Sequence, residues 1–219
     1  VTLIGTLILL DNIKKYSPKS KFFQASSSAI FGNSVDKDGF QRENTPFKPI
    51  SPYASSKLFA HNISVNYREN EGLFVSTGIL YNHESVKGKK LLGIVNTIAQ
   101  KATQIKSGTL ASYHIPNLDI KIDMGHALDY VEAMWLTLQQ PNSDDYIVSQ
   151  GKTYSIEYMC DYIFSKLGLD YKQYITTDES SKVSFESKGD CRKLKQIGWA
   201  PKYDINKMLD NILYYHENS

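Results

Sequence analysis

The segment that decides the fold of this 219-residue chain is Ser51-Pro52-Tyr53-Ala54-Ser55-Ser56-Lys57. Pro52 is favoured in the first turn of a helix, and Ser51 is a favoured N-cap residue. Tyr53 and Lys57 are one turn apart, so they share a helix face. A free phenol has a pKa of about 10, and a nearby ammonium favours the phenolate. The pair is therefore suited to proton transfer, although this spacing also occurs on helix surfaces without a chemical role.

An apolar strand that ends in serines precedes this helix. The run Lys21-Phe22-Phe23-Gln24-Ala25-Ser26-Ser27-Ser28 predicts a strand at about residues 20–26. Because open α/β sheets place their chemistry at the carboxyl ends of strands, we expect the serines beside Tyr53 and Lys57. A near-continuous apolar run at residues 73–80 predicts a second, buried strand. The alternation of helix and strand predicts an α/β fold with a parallel sheet.

Sequence patterns place the other elements as well. Helices are predicted at 1–16, 52–70, 91–106, 126–139 and 154–168, a strand at 144–149, short extended pieces at 111–113 and 120–123, and two short helices around 198–201.

Composition and spacing exclude several classes of function. The net charge of +2 gives no case for a nucleic-acid partner, and the run Lys87–Lys90 is interpreted as a solvated loop. The apolar run 1–10 is too short to span a bilayer. Cys160 and Cys191 form no CxxC motif and predict reduced thiols in a cytoplasmic protein. The five histidines show no metal-site spacing, and no G-x-S-x-G hydrolase motif is present.

Three further segments carry a resemblance to a known family. They are Gly78–Ser85 (GILYNHES), Gly125–Trp135 (GHALDYVEAMW) and Gly189–Pro201. With the serine strand and the tyrosine helix, they resemble the GDP-mannose 4,6-dehydratase family of extended short-chain dehydrogenase/reductases along the whole chain. The resemblance implies that residues 1–85 are the C-terminal part of an NADP-binding, Rossmann-like, doubly wound parallel sheet. Residues 86–219 would form a smaller α/β substrate-binding lobe, with segments returning to the sheet.

The resemblance also implies roles for five residues. Tyr53 would take the proton from the sugar 4-hydroxyl, and Lys57 would tune its pKa and contact the cofactor ribose. Ser27 would hydrogen-bond the sugar 4-oxygen. His83 would contact NADP, and Asn82 would face the sugar nucleotide. Ser27 could instead only cap the strand end, and His83 could be a structural loop residue.

The reaction of the family has three stages. NADP oxidises C4 of a GDP-mannose-like substrate, water is lost across C5 and C6, and the hydride returns to C6. The resemblance further implies a homodimer or homotetramer, in which helices 1–16 and 52–70 pair across a two-fold axis. Both helices carry apolar residues on more than one side, which predicts a second packing partner: Leu3, Leu7, Leu10, Leu58, Phe59, Ile63 and Val65. These faces could also pack against other strands of the same protein.

The sequence departs from the family in two ways that concern its activity. It contains no glycine-rich dinucleotide loop, so the chain looks like a piece of a longer protein that lacks roughly the first third. The family glutamate that catalyses elimination aligns with Ala29. Losing a positioned general acid/base typically costs about 10²–10⁴ in rate. Glu84 is expected to hold its loop, and Trp135 and Trp199 are expected to pack in the core.

Basic family positions that grip diphosphate are also replaced by neutral residues. They align with Asn96-Thr97, Ile122 and about 180–183, and Lys121 or Lys182 are candidates to substitute. Three interpretations stay open from the sequence. The protein is a dehydratase relative, a C4 oxidoreductase or epimerase of another sugar nucleotide, or a non-catalytic fragment that keeps the fold.

Overall fold

The computed structural model describes residues 2–86, 93–178 and 186–218, with only the backbone for residues 2 and 3. Seven helices occur in these ranges: α1 Thr2–Tyr16, α2 Pro52–Asn70, α3 Ile94–Lys106, α4 Ala127–Leu138, α5 Ile156–Lys166, α6 Arg192–Gln196 and α7 Ile205–Glu217. The strands of the same ranges are β1 Phe22–Ser27, β2 Val75–Leu80, β3 Asn82–Glu84, β4 Tyr113–His114, β5 Lys121–His126, β6 Asp145–Val148, β7 Thr153–Ser155, β8 Ile175–Thr176 and β9 Glu186–Ser187.

The main sheet consists of three parallel strands in the order β1-β2-β6. Ala25 of β1 lies opposite Gly78 of β2, and Gly78 lies opposite Tyr146 of β6. A Cβ at Gly78 would overlap the ring of Phe23, so glycine allows this ring to cross the sheet surface. Strand β2 is buried along its whole length, as expected for a central strand of a parallel sheet.

Helices cover both faces of this sheet. On one face α1 and α2 pack together around Leu10, Tyr67 and Val75. On the other face α4 contributes Tyr130 to a cluster with Leu80, and Ser76 of β2 donates to the carbonyl of Thr137 of α4. Full burial of an apolar side chain such as that of Ile79 contributes about 1.5–3 kcal/mol to the stability of the fold. The predicted α/β fold with a doubly wound parallel sheet is confirmed.

A second hydrophobic core is formed by residues that follow position 86. Helices α3, α5 and α7 pack against one another, and α7 packs against β5. Strand β5 pairs in parallel with β3 and β9 and antiparallel with β7. The centre of this core includes Ile98, Ile163 and Leu209. Strands β4 and β8 form a separate parallel pair.

Two details of the predicted elements are wrong. The helix predicted at 154–168 begins at Ile156, because Thr153–Ser155 pairs with β5 as strand β7. The Ser155 side chain accepts a hydrogen bond from Tyr158 N and so caps α5. Asn82–Glu84 forms strand β3 where the sequence predicts a loop, because three residues are too few to show an alternating pattern.

The two tryptophans differ from each other. Trp199 is buried, and its Nε1 donates to the carbonyl of Asp129 at 2.9 Å. Trp135 is 62% exposed, so the prediction that it packs in the core is wrong. It lies on α4 near the exposed Val131, on a helix face that no described part of the chain covers. An apolar helix pattern identifies faces but not which face meets the core.

Both cysteines are free and buried, as reduced thiols would be. The cytoplasmic location itself stays a prediction. None of the helices in the described ranges combines the length and the apolar composition that a membrane span requires. The same ranges contain no group of three histidine, cysteine or acidic side chains arranged to hold a metal ion.

An ion pair joins α2 to the edge strand of the main sheet. Arg68 donates to both carboxylate oxygens of Asp145, at 2.8 and 3.2 Å. Burial alone would raise the pKa of Asp145, but the hydrogen bonds and charge of Arg68 hold it below its ordinary value. A lowered folded-state pKa contributes stability above the unfolded-state pKa of about 3.9. That contribution is lost as the pH falls through the folded-state value.

We predict that Asp145→Asn lowers the free energy of unfolding by about 1.5–3 kcal/mol at neutral pH, because a charge-assisted bond is lost. The difference from wild type should begin to shrink below about pH 4, where the carboxylate of the unfolded chain becomes protonated, and should vanish below the lowered folded-state pKa. Urea denaturation of both proteins, at neutral pH and at a pH below the lowered folded-state pKa, measures the difference in the free energy of unfolding. The control is Asp144→Asn, which removes an exposed pair with Lys193 and should cost less than about 1 kcal/mol. An equal loss at both pH values would contradict the electrostatic explanation.

Candidate active site

The N-terminus of α2 places Tyr53 and Lys57 beside the end of β1. The Ser51 hydroxyl accepts Ala54 N at 3.1 Å, and Pro52 occupies the first turn. The Lys57 ammonium lies 5.9 Å from the centre of the Tyr53 ring and donates to the carbonyl of Ala25 at 2.9 Å. Tyr53 is 56% exposed, so its phenol is accessible to a ligand.

The serines follow at the carboxyl end of β1. The Ser27 hydroxyl oxygen accepts the N–H of Ala29 at 3.3 Å and caps a short 3-10 helix, Ser28–Phe31. This bond uses an oxygen lone pair and leaves the hydroxyl hydrogen free to donate. The Ser26 hydroxyl is buried and has no hydrogen-bond partner within the described part of the chain.

Asn82 and His83 enter the site from the end of β2. They begin β3, whose backbone pairs with β5, so their position is fixed by the second sheet. His83 Nδ1 lies 2.7 Å from the carbonyl oxygen of Tyr81. Because a carbonyl can only accept, the neutral ring carries its proton on Nδ1 and keeps a lone pair on Nε2. The imidazole stacks on Tyr130, with ring centres 4.5 Å apart.

The five predicted site residues line one cavity of about 370 Å³. Ser27, Tyr53, Lys57, Asn82 and His83 come from three separate segments, β1, α2 and β3, and the structure brings them together. Sequence analysis did not assign four further residues of the same wall, which are Ser26, Ser28, Leu80 and Tyr81. All four lie at carboxyl ends of parallel strands, which is the signal that could have identified them. No described residue lining this cavity is acidic.

Tyr81 forms a rigid wall of the cavity. Its phenol donates to Gln41 Oε1 at 2.6 Å, and Ser187 Oγ donates to the same oxygen at 2.9 Å. Burial, followed by the nearby charge of Asp123, raises the pKa of Tyr81 well above its ordinary value. Tyr81 therefore stays protonated and hydrogen-bonded, which indicates a structural role.

Glu84 has the structural role expected for it. Its carboxylate accepts the backbone N–H groups of Val95 at 3.1 Å and Asn96 at 2.8 Å, and the Asn96 amide at 2.9 Å. A Cβ at Gly93 would overlap the carboxylate, so glycine makes room for it. Glu84 is thus the anionic cap of α3, and its oxygens are occupied. It cannot replace an eliminating glutamate without uncapping that helix.

The positions predicted to align with basic family residues do not line the cavity where the structure describes them. Asn96 is buried between Glu84 and His216. Ile122 packs on the second hydrophobic core, and Lys121 is exposed at the start of β5. Lys182, the rest of 180–183 and the run 87–90 lie outside the described residues.

A buried carboxylate near the site was not identified from the sequence. Asp123 accepts the backbone N–H groups of Gln150 at 2.7 Å, Gly151 at 2.9 Å and Gly189 at 3.3 Å. Burial raises the pKa of Asp123 to about 7, against the effect of these donors. It does not line the cavity, and its contacts join the turn after β6 to the segment after β9.

Comparison with known proteins identifies the family. The sequence matches the family model described as GDP-mannose 4,6 dehydratase over residues 1–212. The chain belongs to this family. It is 39% identical to GDP-mannose 4,6 dehydratase 2 of Arabidopsis thaliana, over 95% of this chain and 57% of that protein. It is 34% identical to the GDP-mannose 4,6 dehydratase of Homo sapiens, over 96% of this chain and 62% of that protein. The chain thus spans about three-fifths of the length of these relatives.

Solved structures show the same fold. The chain resembles RMD from Pseudomonas aeruginosa, a complex with NADPH, with a TM-score of 0.89 at 24% identity, over 100% of this chain and 73% of that one. It resembles dTDP-glucose 4,6-dehydratase from Bacillus anthracis, a complex with NAD, with a TM-score of 0.83 at 24% identity, over 99% and 68%. It also resembles a UDP-glucose 4-epimerase from Thermotoga maritima, with a TM-score of 0.82 at 23% identity, over 99% of this chain and 69% of that one.

Proposed function

We propose that this protein acts at C4 of a sugar nucleotide, GDP-mannose or a close analogue, together with NADP. The observation that carries the proposal is the convergence of Tyr53, Lys57 and Ser27 on one cavity in a member of the GDP-mannose 4,6 dehydratase family. The cavity volume of about 370 Å³ is within the range of small-molecule sites.

The cavity fits the nicotinamide-ribose end of a dinucleotide. Lys57 uses one N–H on Ala25 and retains others for a ribose hydroxyl, and the exposed Tyr53 phenol lies beside it. The cofactor, when bound, supplies the hydride acceptor. Structural neighbours contain NADPH or NAD, which supports a nicotinamide cofactor, and NADP is the form we propose.

Three side chains can perform the proton chemistry at C4. Tyr53 takes the proton of the 4-hydroxyl, because its exposed phenol lines the cavity one helix turn from the Lys57 ammonium. Ser27 donates to the 4-oxygen, since its own oxygen already accepts from Ala29 N. Asn82, exposed at the mouth of the cavity, is placed to contact the sugar nucleotide.

A specific observation favours a second candidate, a C4 oxidoreductase or epimerase without dehydration. Ala29 has no ionisable group, Glu84 is occupied as a helix cap, and no described residue lining the cavity is acidic. Oxidation at C4 needs Tyr53 and Ser27 but no carboxylate. Elimination of water needs an additional acid/base.

We predict that Tyr53→Phe lowers the rate of NADP reduction by GDP-mannose at least about 10²-fold, because the proton acceptor is lost. Absorbance of the reduced cofactor in single turnover measures this step, and circular dichroism verifies the fold. Tyr16→Phe, on the exposed end of α1, is the control and should have no effect. Wild-type turnover in Tyr53→Phe would overturn the assignment. Inactivity of the wild-type chain would favour the non-catalytic interpretation.

We predict that loss of water from GDP-mannose is weak or absent in the wild type, and that Ala29→Glu increases it. The introduced carboxylate would stand next to the serines at the end of β1, where the family has its glutamate. Mass spectrometry for a product lighter by one water decides the question. Ala29→Gln is the matched control, since it has the same length but no acid/base group. Dehydration at a rate typical of the family in the wild type would contradict this prediction.

We also propose that the protein self-associates through α1 and α2. Leu10 is buried within one chain, and Leu7, Leu58 and Ile63 pack against its cores, so these four residues do not require a partner. The side chain of Leu3 is outside the described part. Other apolar residues are exposed on these helices, however: Ile4, Ile8, Leu9 and Phe59. This uncovered surface supports a homodimer or homotetramer.

Light scattering at micromolar concentration should give a mass of at least two chains. Ile8→Lys should shift it towards the monomer, because a charge placed in an apolar interface is costly. Val131→Lys, an equally exposed apolar position on α4, is the control. A monomeric wild type, or an equal effect of both variants, would contradict the proposed interface.

A further inference from the structure

The cavity contains few groups that can accept a proton from carbon. Such a step is needed to alter a carbon next to a carbonyl, and enzymes assign it to a positioned general base. Family members use the glutamate that is Ala29 here. Tyr81 donates its proton to Gln41, and Lys57 is bonded to the carbonyl of Ala25. Besides Tyr53, the remaining candidate among the described lining residues is His83.

The geometry of His83 suits that task. Its Nδ1–H is used by the Tyr81 carbonyl at 2.7 Å, which leaves the lone pair on Nε2. Nε2 has no hydrogen-bond partner within the described ranges. The ring stacks on the buried Tyr130, with ring centres 4.5 Å apart and planes inclined by 28°, and the backbone is paired with Gly125 of β5. The imidazole is therefore oriented by three separate contacts, as an acid/base group requires.

We propose that His83 is the second acid/base group of this site and acts on the carbon next to the keto group of a 4-keto sugar nucleotide. The inference rests on the proposed function for the class of substrate. His83 Nε2 takes the proton from C5, and the C–H electron pair moves towards the 4-oxygen to form an enolate. Hydrogen bonds from Tyr53 and Ser27 stabilise that oxygen. The imidazolium then returns the proton to C5, and no water is lost.

The test uses a keto sugar directly, so that it depends neither on C4 oxidation nor on a bound cofactor. The full chain is incubated in D₂O with GDP-4-keto-6-deoxymannose. Proton NMR follows the C6 methyl signal, which collapses from a doublet when the hydrogen at C5 is replaced by deuterium. We expect wild-type exchange well above a protein-free sample. The rate of exchange at C5 should be lower in His83→Ala by about 10²-fold or more.

Added imidazole should restore exchange in His83→Ala, because it can occupy the space beside Tyr130. A merely structural role would not produce this rescue. His83→Asn preserves a polar side chain and should also be slow, which provides a second variant if His83→Ala does not fold. His114→Ala, an exposed histidine of β4, is the control and should exchange at the wild-type rate.

The outcomes separate this inference from the proposed function. No exchange in the wild type, unchanged exchange in folded His83→Asn, or no imidazole rescue of folded His83→Ala would overturn the role of His83. If substitution of His83 weakens NADP binding but leaves exchange intact, the role of His83 in exchange is also overturned. His83 is then a cofactor contact. Exchange that depends on His83 in a protein unable to oxidise GDP-mannose would support the inference while contradicting the proposed C4 step.

Discussion

The parallel pairing of β1 with β2 is the interaction on which the site depends. Because Ser27 lies opposite Leu80, the serines of one strand end beside the Tyr81–His83 segment of the next. Gly78 makes the pairing compact by allowing the Phe23 ring to lie across it. Strand β1 also provides the carbonyl of Ala25, which accepts a hydrogen bond from the Lys57 ammonium. A shift of the register by one residue would turn the Ser27 hydroxyl to the other face of the sheet and separate it from its partners.

Around this pairing, buried hydrogen bonds fix the walls of the cavity and leave selected groups free. Gln41 is fully buried and connects Tyr81 to Ser187, while Glu84 connects β3 to the start of α3. Such buried networks are rigid because each unmade bond would be costly. The groups left available at the cavity are neutral donors, one ammonium, one phenol and one imidazole lone pair. That selection suits chemistry at a carbinol or ketone and provides no carboxylate.

Family membership and the departures from the family bear on different parts of the reaction. The residues proposed for proton transfer at C4, Tyr53, Lys57 and Ser27, line one cavity in a chain that belongs to the family. Ala29, which is predicted to align with the eliminating glutamate, has no ionisable group. Asn96 and Ile122 do not line the cavity: Asn96 binds the Glu84 cap of α3, and Ile122 packs on the second core. These observations support the proposed chemistry at C4 and give no such support to elimination of water.

The sequence by itself determined the α/β class, the helix that begins at Pro52 and the shared face of Tyr53 and Lys57, because these depend on local spacing and capping. The family resemblance added Ser27, Asn82 and His83 as candidates. Only the tertiary structure decided that Glu84 is a helix cap, that Trp135 is exposed and that His83 keeps its lone pair on Nε2. These facts depend on contacts between segments far apart in the chain, such as the pairing of β3 with β5, which no local pattern encodes.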